Sequence, residues 1–170
     1  MNDFKLTKEG VAFIKQWEGF KAHAYWDETG HKWTIGYGHT AAVNRGMVCT
    51  KAQALKWLEQ DANHVGKYLN TLNANMTQAR YDALTDFAYN VGLGNLKKST
   101  LLKLVHHSAP AELVAAELYK WNKSGGKVLE SLVLRREGEA MLYATGKYTS
   151  REDAIVHIEK RIGKHWRQIL

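Results

Sequence analysis

The stretch that decides the fold runs from residue 18 to residue 40, EGFKAHAYWDETGHKWTIGYGHT. It holds two carboxylates, Glu18 and Asp27, and then a run punctuated by glycine. On one continuous helix, nine steps of about 100° would turn the two acids to opposite faces. They can act on the same atoms only if the chain reverses between them. Upstream, Leu6-Thr7 opens a helix that runs to about Glu18, with Val11, Ile14 and Glu18 on one face and Gly19 placed as a C-cap glycine. From His23 to Thr40 the pattern changes to alternation, which is strand spacing. AYWD and KWTIGYGH flank Glu28-Thr29-Gly30-His31, a hairpin with Thr29-Gly30 at its tip. In that register Asp27 faces Lys32 and Tyr25 faces Thr34, so Asp27, Tyr25 and Thr34 share one side of the ribbon. Beyond, Trp33, Ile35, Tyr37 and His39 alternate with Thr34, Gly36, Gly38 and Thr40. The Thr34 side is thereby expected to be cleared of bulk, leaving Gly36 open to a ligand approaching the backbone.

These placements carry chemistry. Glu18 lies in the last turn of its helix, where the negative end of the macrodipole favours the protonated acid. Burial beneath Trp17, Phe20 or Trp26 would act in the same direction. A protonated Glu facing an ionised Asp across a cleft suits glycosidic bond cleavage: one protonates the leaving oxygen, the other activates water or stabilises an oxocarbenium-like state. The plain alternative is two solvated surface charges.

The rest of the chain reads as mostly helical, with a single proline in 170 residues. Thr50-Lys-Ala-Gln53 is a capping box ahead of a helix to about Leu72. Thr77 caps QARYDALTDFAYNVG, in which Tyr81, Leu84, Ala88 and Val91 recur at helical spacing. Ser99 or Thr100 starts a short helix, and Pro110 occupies a first helical turn ahead of ELVAAELYKW. KSGGK is a loop, and about Glu130 to Tyr143 is helical again. Residues 151–170, REDAIVHIEKRIGKHWRQIL, form a basic amphipathic helix with Ile155, Ile158, Ile162, Trp166 and Ile169 as its stripe. That helix either docks on a catalytic domain comprising residues 1–150 or engages an anionic envelope or membrane surface.

Apolar content of 45 % and charged content of 24 % are those of a soluble globular protein. One cysteine, Cys49, excludes an internal disulfide and suits a reducing compartment. The longest apolar run near the N-terminus is only Val11 to Ile14, too short for an h-region, so neither a signal peptide nor a membrane span is expected. A cytoplasmic location is the corresponding expectation. The formal charge is +7, of which +5 lies within residues 1–150 and +2 beyond. Charge alone leaves nucleic acid, an anionic membrane and an anionic cell wall as partners. His23, His31, His39, His106 and His107 lack the convergent spacing of a metal site, and His39 reads as a structural hydrogen-bonder. Cys49 has no evident triad. Trp57, Tyr68, Phe87 and Tyr89 read as core aromatics, whereas Tyr25 and Trp26, which flank Asp27, are candidates for touching substrate.

The run Glu18-Gly19, Ala24-Tyr25-Trp26-Asp27, Gly30 and Trp33-Thr34-Ile35-Gly36-Tyr37-Gly38-His39-Thr40 resembles the active-site region of phage-type lysozymes, the endolysin muramidases of glycoside hydrolase family 24. MTQARYDALTDFAYNVGLGNLKKSTLL is similar to the family's central helix and the segment after it. Trp121-Asn-Lys-Ser-Gly-Gly and Leu132-Val-Leu-Arg-Arg-Glu resemble its late segment. The likeness is collinear over about residues 6 to 148. It implies an α+β, lysozyme-like fold, mostly helical, with a small antiparallel β-sheet lobe and a cleft between lobes. It further implies Glu18 as general acid, Asp27 as its partner carboxylate and Thr34 as a third residue holding the attacking water. The implied reaction hydrolyses the β-1,4 bond between N-acetylmuramic acid and N-acetylglucosamine in peptidoglycan, with no metal or cofactor. The expected partner is therefore peptidoglycan, with no nucleic acid, and the expected state is a monomer. Lytic transglycosylation and envelope disruption by residues 151–170 are the alternatives. Arg135 or Arg136 would hold Glu18, and spacing does not choose between them. One departure stands out: six residues separate Asp27 from Thr34 where the family usually has five, so the hairpin tip must be longer or bulged.

Overall fold

The computed structural model describes residues 3–72 and 74–170. Helix α1 (Lys8–Glu18) starts where Thr7 accepts the Gly10 N–H at 2.9 Å, and Gly19 ends it by donating to the Lys15 carbonyl. The chain then reverses into β1 (Lys21–Asp27) and β2 (Lys32–Gly36), an antiparallel ribbon. Residues 47–49 add a short third rung, with Ala24 and Met47, then Cys49 and Ala22, bonded backbone to backbone. That rung has no alternation to announce it, because it is only a bridge wide.

The remaining helices form the larger lobe: α2 (Lys51–Leu69), α3 (Gln78–Val91), α4 (Leu93–Lys98), α5 (Thr100–His106), α6 (Ala111–Tyr119), α7 (Glu130–Thr145) and α8 (Arg151–Ile162). Thr50, Thr77, Ser99 and Ser150 each accept a backbone N–H three residues on, each such cap being worth about 1 kcal/mol. α3 is the hub. Residues Tyr81 to Ala88 are buried without interruption, so the helix is covered on every side, beyond the single stripe its sequence shows. α7 is buried in the same way from Val133 to Ala140. Both therefore carry charged residues into the interior, where each must be paired.

Three apolar clusters hold the layers together. The largest joins α2, α3, α5, α6 and α7 around Leu69, Leu84, Phe87, Leu101, Leu118 and Leu142. A second lies under the ribbon, where Ile14 of α1 and Ile35 of β2 meet Ala54, Leu58 and Ala62 of α2. A third packs Ala154, Ile158 and Trp166 on Val133 and Leu134 of α7. The mostly helical α+β architecture with a small antiparallel sheet is the one the sequence implies.

Four details differ from the sequence reading. α2 ends at Leu69 instead of about Leu72, and α4 is a six-residue helix that the sequence analysis passed over. KSGGK is a hairpin, β3 (Lys123–Ser124) paired with β4 (Lys127–Val128) about Gly125-Gly126. The terminal segment is not one helix: Gly163 ends α8, and Trp166–Ile169 is a separate 3-10 turn. Within α8 Ala154 and Ile158 are buried whereas Ile162 is exposed, and beyond the break Trp166 is buried whereas Ile169 is exposed. Burial of a whole Trp166 side chain is worth about 2–3 kcal/mol. A cluster around buried Glu137 strengthens this docking: Arg161 Nη2 donates to it at 2.6 Å, and His157 and Tyr119 also bond to it. No helix among the described residues is long and apolar enough to cross a membrane.

Candidate active site

The ribbon register is the expected one: Asp27 pairs with Lys32, Trp26 with Trp33, and Tyr25 with Thr34. Asp27, Tyr25 and Thr34 consequently share a face, while Trp26 and Trp33 meet edge-to-face on the other at 5.7 Å. The extra residue is absorbed in the four-residue tip, where His31 takes a positive φ of 49°. Within the tip Asp27 Oδ1 accepts the Thr29 N–H at 3.0 Å. A side chain at Gly30 would begin 2.7 Å from Asp27 Oδ2, so the tip closes over that carboxylate. The only irregularity in the ladder is between Lys21 and Tyr25, away from the tip.

β2 does not continue to Thr40. Ile35 and His39 exchange both backbone hydrogen bonds at 2.9 Å, so the chain doubles back through Gly36, Tyr37 and Gly38. Two expectations change as a result. Gly36 is not open to a ligand: it is buried against α2, and a Cβ there would lie 2.8 Å from that of Ala54. Its missing side chain lets the strand approach the helix. Gly38 is not on the Thr34 side but beneath Glu18. With φ at 88°, a Cβ on Gly38 would stand 2.9 Å from Glu18 Oε2 and 3.6 Å from the Tyr89 ring. Tyr89 fixes this reversal by donating from its hydroxyl to the Tyr37 carbonyl at 2.6 Å.

Glu18, 18 % exposed, is held by Arg135, whose Nη1 donates to Oε1 at 2.6 Å. Arg136 turns the other way, to Asn90 and Glu139, and lies over the Phe87 ring. The choice that spacing left open falls on Arg135. The aromatics expected to cover Glu18 are engaged elsewhere: Trp17 on Phe13, Phe20 on Tyr37, and Trp26 on Trp33. Glu18 is therefore bordered by a cation, a glycine and Tyr89 instead of an apolar lid.

Tyr25 lies within electrostatic reach of both carboxylates. Burial raises the titration of its phenol above the ordinary tyrosine value, and the charges of Asp27 and of Glu18 raise it further. Tyr25 and Trp26 are each 43 % exposed, so both flanking aromatics are accessible. Thr34 is 4 % exposed, and its hydroxyl donates only a long 3.5 Å bond to the Lys32 carbonyl.

Behind Arg135 lies a pair of acids that the sequence analysis did not single out. Arg135 Nε and Nη2 both donate to the fully buried carboxylate of Asp86, at 3.1 and 2.8 Å, and Glu139 is 3.6 Å from Nε. These opposite charges push the guanidinium's titration up despite its burial. Asp86 and Tyr89 sit on α3 at helical spacing, and nothing local marks them as more than core positions. His39 is the structural hydrogen-bonder expected, its Nδ1 2.7 Å from Asp61 and its ring stacked on Trp57. Cys49 is buried under the ribbon, which pushes its thiol up and leaves it inert. No three His, Cys, Asp or Glu side chains among the described residues converge as cation ligands.

The phage lysozyme family model matches residues 15–139, a span that takes in Glu18, the ribbon, Asp86 and Arg135. The chain belongs to the phage lysozyme family. This lysozyme-family chain is 43 % identical to the endolysin of Bacillus phage B103 over 152 residues, 86 % of its own length and 57 % of that relative's. It thus spans little more than half of that protein. It is 36 % identical to the endolysin of Acyrthosiphon pisum secondary endosymbiont phage 1, covering 81 % of this chain and 97 % of that one. Among solved structures, the endolysin of the Escherichia coli phage FAHEc1 superposes with a TM-score of 0.77 at 29 % identity, over 88 % of this chain and 99 % of its own.

Proposed function

We propose that this phage lysozyme family member is an N-acetylmuramidase that hydrolyses the β-1,4 bond between N-acetylmuramic acid and N-acetylglucosamine in peptidoglycan. Glu18 acts as general acid, passing its proton to the glycosidic oxygen as the bond to the anomeric carbon breaks. Asp27 remains ionised, takes a proton from the incoming water and opposes the positive charge that develops on the sugar ring. Thr34 lies on the Asp27 side of the ribbon, and its weakly engaged hydroxyl is available to hold that water. Tyr25 and Trp26 offer exposed ring surface to the sugars on either side.

The observation that carries this reading is the pairing of a restrained acid with a looser one about a common phenol. Glu18 is fixed by Arg135 and Gly38, Asp27 stands on the hairpin tip, and Tyr25 senses both. Two acids in unlike surroundings can hold unlike protonation states, as the reaction requires.

Product analysis on purified peptidoglycan, with wild type beside Glu18→Gln, tests it. Wild type should release fragments with new reducing ends and the mass of a simple hydrolysis product. Glu18→Gln should be slower by about 100-fold or more while keeping its circular dichroism. Anhydromuramic products would instead identify a lytic transglycosylase, and full turnover by Glu18→Gln would remove the acid from the mechanism.

A further inference from the structure

Resting on the reading of Glu18 as general acid, we propose that Asp86 is a positioning residue that acts on Glu18 through Arg135. Its carboxylate aims the guanidinium and cancels the positive charge that would otherwise draw the proton from Glu18. The geometry is a fork. Two guanidinium nitrogens, Nε and Nη2, are committed to the two oxygens of Asp86, which leaves Nη1 directed at Glu18 Oε1 at 2.6 Å. Both partners are buried, Arg135 at 4 % and Asp86 at 0 % exposure. A simple join between α3 and α7 could be made of apolar side chains at no loss of stability, since buried ion pairs gain little over well-packed hydrophobic residues. This pair instead ends on the residue that must give up a proton.

The electrostatic consequence has a sign. A lone Arg135 would favour ionised Glu18. Balanced by Asp86, the guanidinium supplies direction with little net field. Glu139 stands in reserve behind the pair. Burial raises the titration of Glu139 well above the usual carboxylate range; the Arg136 guanidinium opposes that and the neighbouring Asp86 carboxylate adds to it, so Glu139 is the second carboxylate that can answer the same cations. Its Oε2 has no hydrogen-bond partner among the described residues. If Asp86 were neutral, Glu139 could ionise in its place. The groups facing Glu18 are Arg135 of α7, Tyr89 of α3 and Tyr25 of β1. Those facing Asp86 are Arg135, Arg136 and Glu139 of α7, and Tyr89 on its own helix.

The test is the pH profile of kcat/KM for Asp86→Asn and for Asp86→Asn with Glu139→Gln, the second variant removing the substitute charge. An acid that loses its proton at lower pH ends activity at lower pH. The alkaline midpoint of the double variant should therefore fall by about one pH unit, kcat should drop with KM unchanged, and Asp86→Asn alone should shift it less. Asp86→Glu should restore most of kcat. A folded double variant with an unmoved midpoint overturns the proposal, because a purely structural role would lower thermal stability without moving the profile. Should the double variant not fold, Asp86→Asn alone decides: an alkaline midpoint below that of wild type is expected, and a folded Asp86→Asn protein with the wild-type midpoint overturns the proposal. Glu18→Gln measured alongside separates the two failures. If it is inactive and the midpoint does not move, only the role of Asp86 fails; if it is fully active, the acid assignment fails and takes this proposal with it.

Discussion

Glu18 and Asp27, the two acids of the proposed site, stand on opposite kinds of mounting. Glu18 hangs from the end of a helix and is gripped by a side chain 117 residues away, with the backbone of Gly38 drawn up against Oε2. Asp27 ends β1 at the edge of the hairpin tip, and among the described residues its carboxylate accepts a hydrogen bond only from Thr29, two residues on. The first acid is held by tertiary structure, the second by its own turn. A group that donates a proton gains from a fixed position and a controlled field. One that follows an incoming water tolerates more freedom.

That contrast can be broken at several points. The largest effect should come from Arg135→Met, which leaves Asp86 buried without its cation. A loss of about 3–5 kcal/mol is expected, read as a lower thermal midpoint together with nearly abolished turnover. A loss under 1 kcal/mol would mean that the grip on Glu18 is ornamental. Gly38→Ala comes next. The positive φ and the 2.9 Å approach to Glu18 Oε2 should cost about 1–3 kcal/mol and displace the acid, with turnover falling more steeply than stability; urea unfolding beside activity would show it. Gly36→Ala is the matched control. It meets Ala54 instead of Glu18, so a similar stability loss should come with a smaller drop in activity per folded molecule. Smallest in stability is Asp27→Asn, within about 0.5 kcal/mol of wild type because so little tertiary structure rests on it, although its turnover should fall sharply. If Asp27→Asn unfolded the protein as readily as Arg135→Met, the two mountings would not differ as described.

The same contrast explains what could be read from the sequence. The Asp27 side was legible, since strand alternation, turn chemistry and the Asp27–Lys32 register all act between near neighbours. α1 and its caps were equally legible, Thr7 and Gly19 being local signals. The setting of Glu18 was not. Arg135 and Arg136 are adjacent in sequence, and only the orientation of α7 against α3 decides which reaches Glu18. Asp86 lies within an apolar helical pattern whose period gives no sign that a charge is paired there. The strand end at Gly36 was missed because alternation of side-chain size continues through Gly38 after the backbone has turned. Gly163 was overrun for a similar reason: the isoleucine spacing continues past it, and one positive-φ residue resets the phase of everything after it.

A double-mutant cycle measures most directly whether the two acids act together on one bond. Reducing-end release from purified peptidoglycan would be compared for wild type, Glu18→Gln, Asp27→Asn and the double variant. Groups that serve one transition state are far from additive, so the double variant should be little slower than the slower single one. Losses that multiply independently, or a Glu18→Gln protein that releases saccharide at the wild-type rate, would contradict the shared site.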